Sequence, residues 1–178
     1  GGGTGHSIDI DDFDTAKEDP QKQLIVWDPE NREIVGGYRF YFPPKGCITC
    51  DIGKLASSAY FRFSDKFLSR YFPHMMELGR SFVHPDYQSR TRGRKSLFAL
   101  DNLWDGLGAL TVDNPKIRYF FGKVTMYAHF HSDARNMIQY FFMKYFRDDE
   151  NLVTPKKPFE FHIDYGKMRE IFNGADYG

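Results

Sequence analysis

The pattern of apolar and polar positions divides the chain into alternating strands and helices. Two runs rich in β-branched and aromatic residues, Gln23–Trp27 and Glu33–Phe42, flank the turn-forming sequence DPENR and predict an antiparallel hairpin. The run Glu77–Val83 predicts a third strand, and the near-continuous apolar run Ile117–Val124 predicts a strand in the middle of a sheet. Residues Pro158–Asp164 predict a weaker last strand.

Three segments show helical periodicity. Residues Ser64–Phe72 predict a short helix with Ser64 as its N-cap, and residues Arg94–Leu110 predict a longer one. The clearest amphipathic pattern covers Ser132–Phe146. Its predicted apolar face consists of Ala134, Met137, Ile138, Phe141 and Tyr145.

This order of elements predicts an α/β (α+β) fold in which helices flank a mixed sheet. The length of 178 residues and the hydrophobic fraction of 41% suit a single domain that covers residues 1–178 and has its own core. The glycine-rich first residues and the last residues form no complete element, so we expect a fragment of a longer chain.

Charge is balanced, because 24 basic residues face 24 acidic ones and the formal net charge is zero. No overall field therefore attracts the chain to nucleic acid or to an anionic membrane, and any anion site must be local. The sequence shows no signal peptide and no run of the roughly 18 apolar residues that a membrane span needs. These features predict a cytoplasmic protein.

Two short patterns contain metal-ligand residue types. Cys47 and Cys50 form a C-x-x-C pair, which is typical of a redox pair or of half a zinc site, but no second pair supplies further ligands. Two loop thiols in a reducing compartment are the alternative. His129 and His131 could share one strand face, yet no carboxylate or third histidine lies at a useful spacing. We therefore predict no metal site.

A cluster of positive charge follows the predicted strand Glu77–Val83. A helix N-terminus exposes unpaired N–H groups and the positive end of its dipole, which favour anions, and Gly93 allows a close backbone approach. This arrangement predicts a phosphate site, and a solvated helix start or a docking patch for nucleic acid is the alternative. The basic residues are Arg90, Arg92, Arg94 and Lys95.

The loop and its flanking strands resemble motifs of one enzyme family. QSRTRG (Gln88–Gly93) resembles the pyrophosphate-binding loop Q/R-x-x-G-x-G/A of GNAT-type N-acyltransferases, with Thr91 in place of the first glycine. ELGRSFV resembles the E-x-x-R-x-F-V strand of acyl-homoserine-lactone synthases and ornithine-lipid N-acyltransferases. DIDDFD (Asp9–Asp14) resembles their acidic D-x-F/Y-D element, and VGGYRF (Val35–Phe40) resembles their V-G-x-x-R strand. The resemblance extends to bacterial proteins labelled hemolysins, some of which N-acylate amino acids such as glycine for lipid synthesis.

The resemblance implies a GNAT-like fold, with a mixed, mostly antiparallel central sheet whose first strand and helix would precede residue 1. It implies an N-acyltransferase that moves a long-chain, 3-hydroxy acyl group onto the amine of a glycine- or ornithine-like amino acid. The acyl-phosphopantetheine thioester, on acyl carrier protein or coenzyme A, would be a cosubstrate, with no permanently bound cofactor. Carrier protein is then the expected partner, nucleic acid is not, and a lipid product would bring the enzyme to the periphery of the inner membrane.

The resemblance also assigns roles to single residues. Glu77 and Arg80 match the catalytic positions: Glu77 would be the general base, and Arg80 would bind the acceptor's carboxylate. An ion pair between them or a plain surface charge is the structural alternative. Asp11, Asp14 and Arg39 would shape the site or bind substrate. The acyl donor would contact Phe82, Val83, Gln88, Arg90, Thr91, Arg92, Gly93 and Arg94.

Regular strand alternation places Gly79, Ser81 and Val83 on the face of Glu77 and Arg80 on the opposite face, unless a bulge intervenes. The proton donor to the leaving thiolate is unassigned, because the resemblance places Phe141 where many GNAT enzymes have a tyrosine. Helical phase directs the neighbouring Tyr140 elsewhere.

Two other functions stay open at this point. One is acetyl-CoA-dependent acetylation of a small amine or a protein on the same fold. The other is a non-catalytic domain that binds carrier protein or RNA through Arg90–Lys95.

Overall fold

The computed structural model describes residues 15, 21–43, 52–88, 94–127 and 129–174. The strands of these residues are β1 Lys22–Asp28, β2 Glu33–Tyr41, β3 Phe61–Phe63, β4 Met75–Val83, β5 Tyr119–Gly122 and β6 Val153–Pro155. Their helices are α1 Asp65–Arg70, α2 Arg94–Asp113, α3 Ser132–Tyr145 and α4 Tyr165–Ile171. The chain forms two compact units, one of residues 1–59 and 68–123 and one of residues 60–67 and 124–178.

The first unit contains a four-stranded sheet in the order β1-β2-β4-β5. The pairs β1–β2 and β2–β4 are antiparallel, and β4–β5 is parallel. The predicted mixed, mostly antiparallel sheet flanked by helices is therefore confirmed. The hairpin turn forms as the sequence predicts, because the Asp28 carboxylate accepts hydrogen bonds from the backbone N–H groups of Glu30 (2.9 Å) and Asn31 (3.1 Å).

Helix α2 packs on one face of this sheet. Gly106 permits a close approach, since a Cβ there would lie 3.0 Å from a methyl carbon of Leu24 on β1. Leu103 and Leu107 are buried, and Leu103 lies over Gly36 of β2. The predicted helix Arg94–Leu110 is thus present and three residues longer.

Strand β5 differs from its prediction. It is shorter than Ile117–Val124, and in the described sheet it lies at one end, with Tyr119 and Phe120 43% and 44% exposed. The prediction of a central strand was wrong, because an apolar run does not reveal how many neighbouring strands it will find.

The second unit pairs β3 with β6 and packs α4 against α3. The predicted strand Pro158–Asp164 is not a strand; the last described strand is β6, and Asp164 instead caps α4 by accepting a hydrogen bond from Lys167 N–H (3.1 Å). Strand β3 and helix α4 were not predicted.

The predicted apolar face of α3 also needs correction. The buried residue is Tyr140, whose ring packs on Tyr165 and Phe172, whereas Ile138 is half exposed. The unpredicted helix α4 supplies these partners. The buried face therefore includes Tyr140 beside the predicted Phe141 and Tyr145, whereas the predicted Ala134 and Ile138 are exposed.

Helix α1 has the predicted cap, since Ser64 Oγ accepts a hydrogen bond from Phe67 N–H (3.2 Å), but it ends at Arg70. No described helix has the length and apolar character needed to cross a membrane.

Candidate active site

Glu77 lies in β4 with its side chain buried at 5% exposure. Its Oε2 accepts a hydrogen bond from Ala56 N–H (2.8 Å), and its Oε1 accepts one from Ser57 N–H (2.9 Å). Ala56 and Ser57 open the 3-10 turn Ala56–Ala59, which follows a similar turn at Ile52–Lys54. The carboxylate therefore fixes residues 52–59 against the sheet, and each of its oxygens keeps a second lone pair.

The sequence does not predict that Ala56 and Ser57 are the partners of Glu77. They act through backbone N–H groups, which every non-proline residue has, so no residue type marks them. The small-residue run ASSA indicates a tight turn, but nothing in it identifies the strand that the turn contacts.

A β-bulge interrupts β4 directly after this point. Arg39 of β2 pairs with Gly79 and Gly37 pairs with Phe82, so Arg80 and Ser81 together oppose one residue of β2. Arg80 has a φ of 44°, in the left-handed region that non-glycine residues rarely adopt.

The bulge changes which side chains share the face of Glu77. A Cβ on Gly37 would lie 3.0 Å from Cε1 of Phe82, so Phe82 lies on that face, while Val83 packs with Val35 and Tyr87. The bulge thus meets the condition under which simple alternation does not apply, because the extra residue shifts the alternation by one.

The same region of β4 also separates from β5. Parallel pairing runs from Met75 with Tyr119 to Leu78 with Gly122, and in the described residues it ends there while β4 continues to Val83. Strand edges carry backbone N–H and C=O groups that need partners. Residues 79–83 therefore lie beyond the part of β4 that pairs with β5 in the described residues.

A tight turn follows β4. His84 Nδ1 accepts a hydrogen bond from Asp86 N–H (3.3 Å) before the 3-10 turn Pro85–Tyr87, as expected for a turn residue. Gln88 Nε2 donates to the carbonyl oxygen of Val83. The predicted donor-binding role of Gln88 would require this side chain to exchange that bond for a phosphate.

The turn is joined to the hairpin by an ionic hydrogen bond. Tyr87 OH donates to Asp28 Oδ2 (2.9 Å), which also accepts from Asn31 Nδ2 (2.9 Å). Hydrogen bonds from the side chain and backbone of Asn31, and then from Tyr87, lower the pKa of Asp28 from 3.8 to about 2. The same bond to Asp28 raises the pKa of Tyr87.

The basic loop itself is described only in part. Helix α2 begins at Arg94, so the structure confirms the order strand, loop, helix. Arg39 is 4% exposed and lies across from Gly79, whereas Arg80 is exposed. Outside the described residues lie Asp11, Asp14, Cys47, Cys50, Arg90, Thr91, Arg92 and Gly93.

Phe141 belongs to the second unit. Its ring lies 5.2 Å from that of Tyr145 and 5.9 Å from that of Phe172, as part of an aromatic cluster between α3 and α4. His129 stacks on Tyr127, with ring centroids 5.3 Å apart.

The strand, the bulge and the separation of β4 from β5 invite comparison with known proteins. Residues 1–95 match the model of the acetyltransferase (GNAT) domain. The chain belongs to the GNAT family. The resemblance seen in the sequence is thereby confirmed, and the mixed sheet is that of a GNAT domain.

Two relatives extend the comparison beyond the matched residues. A glycine N(alpha)-acyltransferase of Phocaeicola vulgatus is 51% identical over 174 residues, which cover 97% of this chain and 53% of the relative. A protein of the same name from Bacteroides thetaiotaomicron is 53% identical over 178 residues, which cover 97% of this chain and 51% of the relative. This GNAT chain thus spans about half the length of these relatives. No solved structure is significantly similar to it.

Proposed function

We propose that this GNAT domain is the part of an N-acyltransferase that transfers an acyl group from a thioester to the amine of glycine. The observation that carries the proposal is the identity of 51% and 53%, over 97% of the chain, with two relatives named glycine N(alpha)-acyltransferase. The geometry supports it, because the Glu77 carboxylate lies close to the point where the pairing of β4 with β5 ends in the described residues.

In the proposed reaction the pantetheine arm of the donor lies along residues 79–83, with its phosphate at the loop 88–94. The glycine amine attacks the thioester carbonyl carbon, so an N–C bond forms and the C–S bond breaks. Glu77 takes the proton that the amine loses, through one of the lone pairs that Ala56 and Ser57 do not occupy. The thiolate leaves unaided on the phosphopantetheine.

The proposal also covers the acyl donor and the place of the reaction in the cell. Acyl carrier protein is the proposed carrier, and a long, 3-hydroxylated chain is the proposed acyl group. The N-acylated product would then be a lipid made in the cytoplasm. Because such a product enters a membrane, the enzyme would release it at the membrane surface.

The test is turnover by the full-length protein, followed by mass spectrometry. It is incubated with glycine and, separately, 3-hydroxypalmitoyl carrier protein, palmitoyl-CoA and acetyl-CoA. Faster N-acylglycine formation from the long donors supports the proposal. Faster reaction of acetyl-CoA would instead establish an acetyltransferase. Salt-sensitive carrier binding without any product would establish a non-catalytic domain.

Replacement of Glu77 by glutamine tests the base. Turnover is expected to fall about 100-fold or more, because general-base catalysis contributes about 10²–10⁴-fold. Glutamine also turns an N–H₂ toward the N–H of Ala56 or Ser57, so we expect a loss of about 1–3 kcal/mol in the free energy of unfolding. Turnover is therefore compared below the unfolding transition of each protein. Undiminished turnover under these conditions would show that Glu77 is not the general base. Its role would then be limited to holding Ala56 and Ser57 against the sheet.

A further inference from the structure

Gly79 is a glycine that the described part of the fold does not require. A Cβ built on it meets no atom of the described residues within 4 Å, and its φ lies outside the left-handed region. Gly36 and Gly37 of β2 differ, because a Cβ there would lie 2.8 Å from the carbonyl oxygen of Phe82 and 2.9 Å from that of Leu24. Glycine inside a strand is unfavourable compared with alanine, and it often marks the close approach of a ligand.

The position of Gly79 shows what that ligand would meet. It lies two residues after Glu77, before the bulge, so its missing side chain would point from the same face as the carboxylate. It also follows Leu78, the last residue of β4 paired with β5. The space beside Gly79 therefore borders both the base and the strand edge proposed for the donor.

The face of the sheet that borders this space changes from buried and polar to exposed and apolar at Gly79. Toward the start of β4, Glu77 and its partner Tyr41 are buried, with residues 52–59 fixed above the carboxylate, and Arg39, directly across from Gly79, is buried as well. On the other side of Gly79, Phe82 is 47% exposed. A small molecule entering beside Gly79 would thus meet a charged, ordered wall at one end and an apolar ring at the other.

We propose that Gly79 is a specificity-determining residue, whose missing side chain leaves room for the acceptor amino acid beside Glu77. The inference rests on the proposed function and deepens it. An amine that gives its proton to Glu77 must approach within hydrogen-bond distance of that carboxylate, and the space over Gly79 is the adjoining room on the same face. A methyl group at position 79 would occupy the room of the acceptor's α-carbon and carboxylate.

The test is a set of single variants of the full-length protein, Gly79→Ala and Gly79→Val, with Gly108→Ala as the matched control. Gly108 lies in α2, and beyond its own helix backbone a Cβ there also meets no atom of the described residues within 4 Å. Gly79→Ala is expected to raise the KM for glycine about tenfold or more, since one methyl group can change discrimination by that factor. Gly79→Val is expected to raise it further. The KM for the acyl donor should stay unchanged, and the melting temperature should stay at or above that of the unaltered protein. Gly108→Ala should leave both KM values unchanged.

A KM for glycine within twofold of the original in Gly79→Ala would overturn the inference while leaving the proposed function intact. A rise confined to the donor's KM would also overturn it, because the space would then belong to the pantetheine arm. If the unaltered protein acylates no amino acid, the proposed function fails and the inference fails with it.

Discussion

Arg80 adopts an unusual backbone conformation in the described part of β4. Its φ of 44° costs an L-residue about 1–2 kcal/mol, which glycine avoids. The cost falls at the one place where the strand changes its alternation, between the paired positions Gly79 and Phe82. Backbone strain of this kind often accompanies a functional site.

The variants Arg80→Gly and Arg80→Ala separate the backbone from the guanidinium. Both remove the charge, but only glycine relieves the strain, so Arg80→Gly should have a free energy of unfolding about 1 kcal/mol higher than Arg80→Ala in urea denaturation. If Arg80 binds the acceptor's carboxylate, both variants should raise the KM for glycine equally. Equal stabilities would contradict the strain, and unchanged KM values would limit Arg80 to shaping the strand.

The Asp28 carboxylate predicts how stability depends on pH. Its pKa is about 2 in the folded protein and 3.8 when unperturbed, so the folded state favours the ionised form. The stability that this carboxylate contributes is full above pH 3.8 and is lost as the pH falls toward 2. Asp28→Asn does not titrate. The difference in unfolding free energy between the original protein and Asp28→Asn should therefore be constant above about pH 5 and change steadily below about pH 4. A difference that stays constant through this window would contradict the assignment.

The elements β2 and β4 depend on the absence of a side chain at Gly37. A Cβ there would lie 2.9 Å from the backbone oxygen of Leu24 and 3.0 Å from the ring of Phe82. Gly37→Ala should therefore lower the free energy of unfolding by about 1–3 kcal/mol, as measured in urea. Gly53→Ala is the control, because its Cβ would meet no atom within 4 Å in the part of the chain that the structure describes. If the two variants lower the free energy of unfolding equally, the hairpin of β1 and β2 accommodates the added methyl group without loss of stability.

The elements that sequence predicts well are those whose signal is local. The hairpin turn follows from Asp28 in DPENR, and the start of α1 follows from Ser64, because each cap acts on residues two or three positions away. Strand β6 and helix α4 were missed since β6 is only three residues long and α4 only seven. Their stability comes from partners distant in sequence, such as β3 and Tyr140.

In the candidate site, too, local sequence signals are predictable and long-range pairing is not. Motif resemblance brought Glu77 and Arg80 to attention, and the structure places both around the opening between β4 and β5. The bulge between them and Phe82 could not be predicted, because a register shift depends on the pairing with β2 and leaves the sequence of β4 unchanged. The sequence motif suggests Glu77 and Arg80 as candidates, whereas the face of the sheet on which each side chain lies depends on the bulge.

At the scale of the whole molecule, the zero net charge makes the basic loop the expected source of any salt effect. If an acidic carrier protein docks on Arg90–Lys95, its KM should rise several-fold between roughly 50 and 300 mM salt, because ions screen exposed charges. The KM for glycine, a zwitterion, should change little. Arg90→Gln combined with Arg92→Gln should weaken the salt dependence, and an unaltered dependence would place the carrier elsewhere.

The two units of the chain differ in what they offer to the proposed reaction. Glu77, Arg80 and the β4 edge belong to the first unit, and the aromatic cluster around Phe141 belongs to the second. The family model covers residues 1–95, whereas the similarity to the two relatives covers 97% of the chain. The relatives are about twice as long, so full-length protein is the proper material for every kinetic test above.

The edge of β4 also bears on how the molecule behaves in solution. An open strand edge is a template on which a second molecule can add a strand, and such contacts lead to aggregation. Bulges and charged residues oppose this, since they twist the edge and repel another chain. The bulge at Arg80 and Ser81 combines a local twist with a charged side chain, so the strained residue carries both of the features that oppose the addition of a further strand.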